Sequence, residues 1–335
     1  MNVTVVSAGE LGPADLARWS ALQQERAVYR SPFFAPAFAL AVARVREVRV
    51  AIIEDGGAIT GYFPFELGRG RAGRPAGAGF SDYHGVVHGE HAELEPLALI
   101  RACGVAGWSF DHVPAELSAF APYVHGRGAS PCLDLRAGFD AYLAGRTSRS
   151  SFRDRGRRAR RLEREAGPLR FLAATDAPEV LDVLVAWKRE QYAKTGVRDV
   201  LADARARALL REVHASQGVL SVLYAGDEIA AVHLGLRCGS VLHSWFPAYN
   251  AELHRHSPGL LLMLELAQAA PGLGITEIDL GKGDARYKQA LATGSVELWE
   301  GRVGRHALAG RVRSSARRMV RSAGVHRAVR RALRR

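Results

Sequence analysis

The 335-residue chain is 48% hydrophobic and 24% charged, the balance of a soluble globular protein long enough for two ordinary domains. No apolar run is long enough to span a bilayer and the N-terminus lacks the basic start and apolar core of a secretory leader. The three scattered cysteines, Cys103, Cys132 and Cys238, suit neither a disulfide framework nor a zinc site, so a cytoplasmic protein is expected. The net charge of +12 resides entirely in residues 301–335, which hold twelve arginines and no acid. The neutral body argues against a uniformly basic nucleic-acid-binding surface.

In chain order, hydrophobic period and turn signals predict a strand over 2–6, helices over about 14–29 and 33–45, the strands VRVAIIE and AITGYFPFEL, and a short strand near 77–81. A helix over about 92–103 and the strands GWSFDHV and PCLDL close the first half. At that helix entrance, HGEHAELEP, the carboxylates Glu90, Glu93 and Glu95 take the place where the helix dipole would favour a bound anion. Nine arginines between Arg146 and Arg164 then predict a basic connecting helix facing solvent, with Phe152, Ala159 and Leu162 as a thin apolar seam.

The second half predicts a strand over 169–174, helices from Pro178 to about Lys194 and over 203–216, and an antiparallel meander VLSVLYA, EIAAVHLGLR and SVLHSWFPAY with turns at Gly226-Asp227 and Cys238-Gly239. The apolar helix SPGLLLMLELAQAA, the strand ITEIDL, a short segment over 284–291 and the strand SVELWEGRV come next. Element order alone suggests two α/β units in tandem: residues 1–136, a basic helix over 137–167, a second unit over 168–304, and an Arg-rich tail over 305–335. In that tail Leu308, Val312, Met319, Val320, Val325, Val329 and Leu333 recur at helical spacing, so an amphipathic helix able to meet an anionic membrane from the cytoplasmic side is expected. A tRNA could use the same charges without needing the stripe.

His84, His88 and His91 have the spacing of metal ligands, but Gly85 and Gly89 spoil a helix there and no acid-plus-base signature accompanies them, so no metal is expected. No P-loop, nucleophile elbow or dinucleotide fingerprint is present. His233 and His243, on neighbouring predicted strands, are candidates for a general base, since a neutral imidazole suits that work near pH 7.

The order of elements, with HRHSPGLLLMLELA, IDLGKGDARYKQALATG, SPFFAPAF and GFSDYHGVV, resembles the tandem-GNAT acetyltransferases of the cellulose-biosynthesis type, a family of the GNAT superfamily related to the Fem-type aminoacyltransferases. The resemblance implies an α/β fold of two tandem GNAT-like domains with mixed, mostly antiparallel central sheets. It implies an N-acyltransferase that uses acyl-CoA as co-substrate and an amine acceptor, such as an amino sugar or cell-envelope precursor. Aminoacyl transfer from a charged tRNA, and a degenerate scaffold acting at a membrane surface or on nucleic acid, are the alternatives.

On this resemblance the second unit binds the donor and the first shapes the acceptor side. The donor's pyrophosphate would lie at Arg255, His256, Ser257, Gly259 and Leu260: Ser257 suits an N-cap and Gly259 lets a phosphate approach the backbone, while Pro258 removes one donor and leaves CoA or another activated acyl carrier open. Asp279 and Gly281 would end a strand at the cleft. Tyr287 would protonate the departing thiolate, and Lys288 would stabilise charge in the tetrahedral transition state. Adjacent helix residues point about 100° apart, so one of this pair should face the cleft. Asp82, Tyr83 and His84 would reach the cleft from the first unit, with Asp82 orienting the amine, and Trp245 and Tyr249 would line the channel.

Overall fold

The computed structural model describes residues 2–145 and 155–304. The first half holds β1 (Asn2–Ser7), α1 (Pro13–Glu25), α2 (Pro36–Ala43), β2 (Arg49–Asp55), β3 (Ala58–Leu67), β4 (Ala72–Pro75), β5 (Val87–His88), α3 (Pro96–Ala102), β6 (Gly107–Pro114) and β7 (Val124–Asp134). Two helices, α4 (Phe139–Ala144) and α5 (Arg155–Ala166), lead to β8 (Leu169–Leu172), α6 (Pro178–Thr195), α7 (Ala204–Gln217), β9 (Gly218–Ala225), β10 (Glu228–Cys238) and β11 (Val241–Tyr249). The chain continues through α8 (Pro258–Ala269), β12 (Glu277–Asp279), α9 (Arg286–Leu291) and β13 (Gly294–Gly304). The tail over 305–335 lies outside the described residues, as does Phe152 of the expected seam. Among the described residues no helix is long and apolar enough to cross a membrane.

All strands join one sheet in the order β1-β2-β3-β4-β6-β13-β7-β12-β11-β10-β9-β8, with β5 beside β3. Pairing is antiparallel except at β4–β6 and β11–β12. Those two parallel pairs are equivalent, each joined by one helix, α3 in the first half and α8 in the second, so the tandem α/β units are real. The halves also exchange their last strands: β7 pairs with β12 of the second half, while β13 runs between β6 and β7 of the first. This interlock fuses the halves into one sheet.

Several boundaries differ from those expected. The strand placed near 77–81 lies instead at Ala72–Pro75, and residues 76–80 form a turn loop in which Gly77 has φ 70°. A Cβ on Gly77 would stand 2.9 Å from Phe38, so loop and α2 pack tightly there. The expected helices over 33–45 and 92–103 begin as α-helices only at Pro36 and Pro96, as proline is suited to a first turn. The helix expected to reach residue 29 stops at Glu25, the strand expected from 131 already starts at Val124, and ITEIDL is extended only over Glu277–Asp279.

Helix α8 is buried on most sides, through Leu261, Leu262, Met263, Leu264, Leu266 and Ala267, and anchors a core with Leu133, Leu162 and Leu291. Each such leucine contributes about 2 kcal/mol by leaving water. A larger core joins Phe33, Phe34 and Phe38 of the first half to Trp245 and Phe246 of the second. The halves therefore share apolar packing as well as strands, and their junction positions the site.

Candidate active site

Strands β11 and β12 stay paired only over Val241↔Glu277, Leu242↔Ile278 and His243↔Asp279. Beyond that point β11 continues to Tyr249 while the chain leaves β12, so the strands part and a cleft opens. Gly281 turns the departing chain with φ 74°, a conformation that side chains with a Cβ avoid. A Cβ placed on it would lie 3.5 Å from His243 Nε2, 3.6 Å from Asp82 Oδ2 and 3.6 Å from Lys288 Nζ. Three ionisable side chains from distant parts of the chain thus meet around one glycine.

His243 is fully buried between two carboxylates. Its Nε2 lies 2.9 Å from Asp82 Oδ2, and its Nδ1 lies 3.5 Å from Asp279 Oδ1, too far for a good hydrogen bond but within ion-pair reach. Asp279 also accepts hydrogen bonds from the Tyr83 hydroxyl, from Ser130 Oγ at 2.5 Å and from the Gly281 amide at 2.7 Å. Burial by itself would lower the His243 pKa, but the charges of Asp279 and Asp82 outweigh it and hold the imidazole at about 9. Burial likewise works to raise Asp279 and Asp82, yet His243 brings Asp279 down to about 2 and holds Asp82 below its ordinary value. At neutral pH the cluster is an imidazolium flanked by two carboxylates. Phe33 and Tyr83 meet the imidazole edge-on at 4.9 and 5.9 Å and close it off from water. Asp82 retains 30% side-chain exposure, against 0% for His243 and 5% for Asp279, and is the most accessible of the three.

Lys288, in the first turn of α9, donates from Nζ to the carbonyls of Gly281 at 2.9 Å and Lys282 at 3.2 Å. Burial lowers its pKa, opposed by Asp82, Asp279 and Asp284. Its neighbour Tyr287 packs instead beside the α8 core, where burial raises its pKa. Of the pair, Lys288 is the one at the cluster.

Helix α6 brings two residues that sequence reasoning missed. Lys188 is pulled down to about 8 by burial and by the charge of Lys288. Tyr192 is pushed up to about 12 by burial, then by Asp199 and Asp82. Their spacing of four puts them on one helical face, the only signal available beforehand. Ser130 was missed too, since a serine in a strand carries no sign of what lies across the sheet.

His233 lies beneath the cleft with no exposure, its Nε2 2.9 Å from Ser244 Oγ. Burial, then the charges of His243 and Lys188, push it down to about 3, so it is neutral but enclosed. Trp245 is the extra residue at a bulge between β10 and β11 and donates from Nε1 to the Phe80 carbonyl at 2.7 Å, pinning the halves together. Tyr249 is 46% exposed and lies alongside Gly259 at the start of α8.

At that start, Ser257 holds the N-cap position in a left-handed conformation and makes no side-chain cap; its hydroxyl accepts from Arg158 Nη1 at 2.8 Å. Arg255 and His256, expected to flank a donor, are both tied to Glu165 of α5, at 2.5 and 3.0 Å. The basic helix is therefore more than a solvated face: Leu162 is buried, Arg158 reaches Ser257, and Arg155 reaches Glu265 at 2.8 Å. The matching entrance in the first half is filled by its own carboxylate, because Glu95 accepts from the amides of Leu97 and Ala98. Leu260 is partly buried against the α8 core.

The three histidines of the H-x3-H-x2-H spacing have different surroundings. His84 is buried against Ser81, with burial lowering it to about 4; His88 faces Arg26 and the Gly89 carbonyl; His91 is exposed.

Residues 150–289 match the family profile described as an acetyltransferase (GNAT) domain. No curated protein sequence matches the chain. Among solved structures it resembles FemX, with TM-score 0.60 and 10% identity over 90% of this chain and 96% of that one. It also resembles the C-terminal domain of a protein described as a lysylphosphatidylglycerol synthetase from Agrobacterium fabrum, with TM-score 0.57 and 14% identity over 88% and 94% of the two chains. A tandem GNAT protein from the clavulanic acid biosynthesis pathway matches with TM-score 0.52 and 11% identity over 90% and 99%. At such identities the structural likeness establishes the fold: a tandem GNAT architecture whose second half carries the acetyltransferase profile.

Proposed function

We propose that the protein is an N-acyltransferase that moves an acyl group from acyl-CoA to an amine held between its two halves. The observation that carries this is the meeting of Asp82, His243 and Lys288 around Gly281 where β11 and β12 part. A carboxylate and an ammonium on either side of a cleft are what aminolysis of a thioester requires. The acceptor is drawn as a cation to the partly exposed Asp82 and gives one proton to solvent before it reacts. The neutral nitrogen then bonds to the acyl carbon, and one of its two remaining protons becomes acidic enough for Asp82 to receive. Collapse of the tetrahedral intermediate breaks the C–S bond, and the CoA thiolate leaves, taking a proton from Asp82 or solvent. The oxyanion formed in the same step is stabilised by Lys288, whose partial burial strengthens the attraction. His243 and Asp279 act as positioning residues that fix the Asp82 carboxylate and keep it ionised. The base role thereby passes from His233, which has no path to the cleft, to Asp82. The donor's phosphates would meet the start of α8 near Gly259, where Arg158 is bonded to Ser257. A cell-envelope or amino-sugar amine remains the proposed acceptor class.

Titration calorimetry with acetyl-CoA and longer acyl-CoAs tests this. Saturable binding is expected, and Gly259→Asp, which sets a carboxylate against the donor's phosphates, should weaken it more than tenfold, about 1.4 kcal/mol or more. Failure of every acyl-CoA to bind, with tight association of tRNA, would transfer the proposal to aminoacyl transfer.

A further inference from the structure

We propose that His84, Asp111 and His112 form a binding site for a divalent first-row cation of the zinc type at the rim of the cleft. One ligand atom from each lies within 4.8 Å of the others. The grouping is built by two backbone features. In β6, Val113 pairs with Trp299 and Phe110 with Gly301, so Asp111 and His112 together oppose the single residue Glu300. A bulge of this kind re-aims side chains that would otherwise alternate, and here the adjacent Asp111 and His112 both approach His84. The loop carrying His84 is held against the bulge by its own amide, which donates to the His112 carbonyl at 2.9 Å.

His84 Nε2 lies 3.0 Å from Ser81 Oγ, which can donate or accept, and 3.1 Å from the Ser81 carbonyl, which can only accept. In the tautomer that donates from Nε2 to that carbonyl, Nδ1 presents a lone pair. Nδ1 lies 3.4 Å from Asp111 Oδ1 and 3.5 Å from the Asp111 amide. His112 Nδ1 lies 2.9 Å from the same carboxylate oxygen, a hydrogen bond that a bound ion would replace. Ligands about 2.0–2.1 Å from a tetrahedral zinc stand about 3.3 Å apart, so these two separations lie on either side of that edge, and the third is within 4.8 Å. A cation there would take the Nδ1 lone pair of His84 and the Asp111 carboxylate together.

With both Nδ1 atoms as ligands, His84 keeps Nε2–H on the Ser81 carbonyl, an acceptor of the kind that fixes metal-bound histidines, while His112 Nε2 stands 3.9 Å from Asp82 Oδ1, beyond hydrogen-bond reach. Lys282 is close, at 2.7 Å from the Asp111 carbonyl, but its ammonium is paired with Glu300 at 2.6 Å. The Asp111 side chain is 65% exposed, which gives the ion an entry path and leaves a position for water or an oxygen of a substrate. Two imidazoles and one carboxylate select zinc-type ions over calcium or magnesium.

The test uses full-length protein stripped with a chelator and titrated with Co²⁺, then with Zn²⁺ in competition. One equivalent of Co²⁺ should bind with the visible absorption of a low-symmetry site and be displaced by Zn²⁺. Asp111→Asn and His112→Ala should each weaken binding at least tenfold with unchanged circular dichroism; should one fail to fold, the other decides. Lack of saturable one-to-one uptake by the wild type, or wild-type affinity in the folded variants, overturns the proposal. Neither outcome depends on acyl-CoA binding.

Discussion

Replacing His243 with glutamine probes the charge cluster directly. An imidazole that ordinarily titrates at 6.5 and is held at about 9 in the fold contributes about 3 kcal/mol to stability through its proton. Because the folded value is the higher one, this stability is fully present below pH 6.5 and is lost as the pH rises through 9. From the two values it is about 3 kcal/mol at pH 6, about 1.4 at pH 8 and near zero at pH 10. Asp279, held down at about 2, behaves in the opposite sense, its share being present above about 4 and lost as the pH falls through 2. The two shares arise largely from one His243–Asp279 attraction and are not to be added. Urea denaturation of wild type and His243→Gln at pH 6, 8 and 10 reads the histidine's share, since groups away from Asp82 and Asp279 titrate alike in both proteins. The stability gap should shrink by about 3 kcal/mol between pH 6 and 10. A gap that stays constant with pH would falsify the imidazolium clamp, and with it the reason for Asp82 staying ionised.

Lys288→Ala should lower kcat at least a hundredfold while changing acyl-CoA affinity less than threefold, because an oxyanion exists only as the reaction proceeds; stopped-flow turnover and calorimetry on the same preparations check the split. Gly281→Ala should destabilise by about 1 kcal/mol from the left-handed backbone. It should reduce turnover more than that cost suggests, since its methyl would stand among His243, Asp82 and Lys288; wild-type turnover in this variant would show that the space around Gly281 is not where the reaction occurs.

Much of the fold was legible because it rests on local signals. The meander of β9, β10 and β11 shows as apolar runs broken by Gly226-Asp227 and Cys238-Gly239, and α8 as an apolar stretch opened by Ser257-Pro258 and closed by Pro271-Gly272. Turn chemistry and periodicity operate within a few residues, so a chain read from one end discloses them. Lys288 and Asp279 are singled out by another route, the resemblance of IDLGKGDARYKQALATG to GNAT and Fem-type proteins.

What the sequence could not disclose is where partners come from. The interlock of β7 and β13 is decided by hydrogen bonds between strands about 170 residues apart, and any apolar strand of suitable length satisfies the same local pattern. His243 read as a neutral base, whereas the fold sets Asp82 and Asp279 on its two nitrogens and makes it a cation. Composition does determine that such groups exist, but a charge is set by its neighbours and its loss of water, and both are properties of the packed chain.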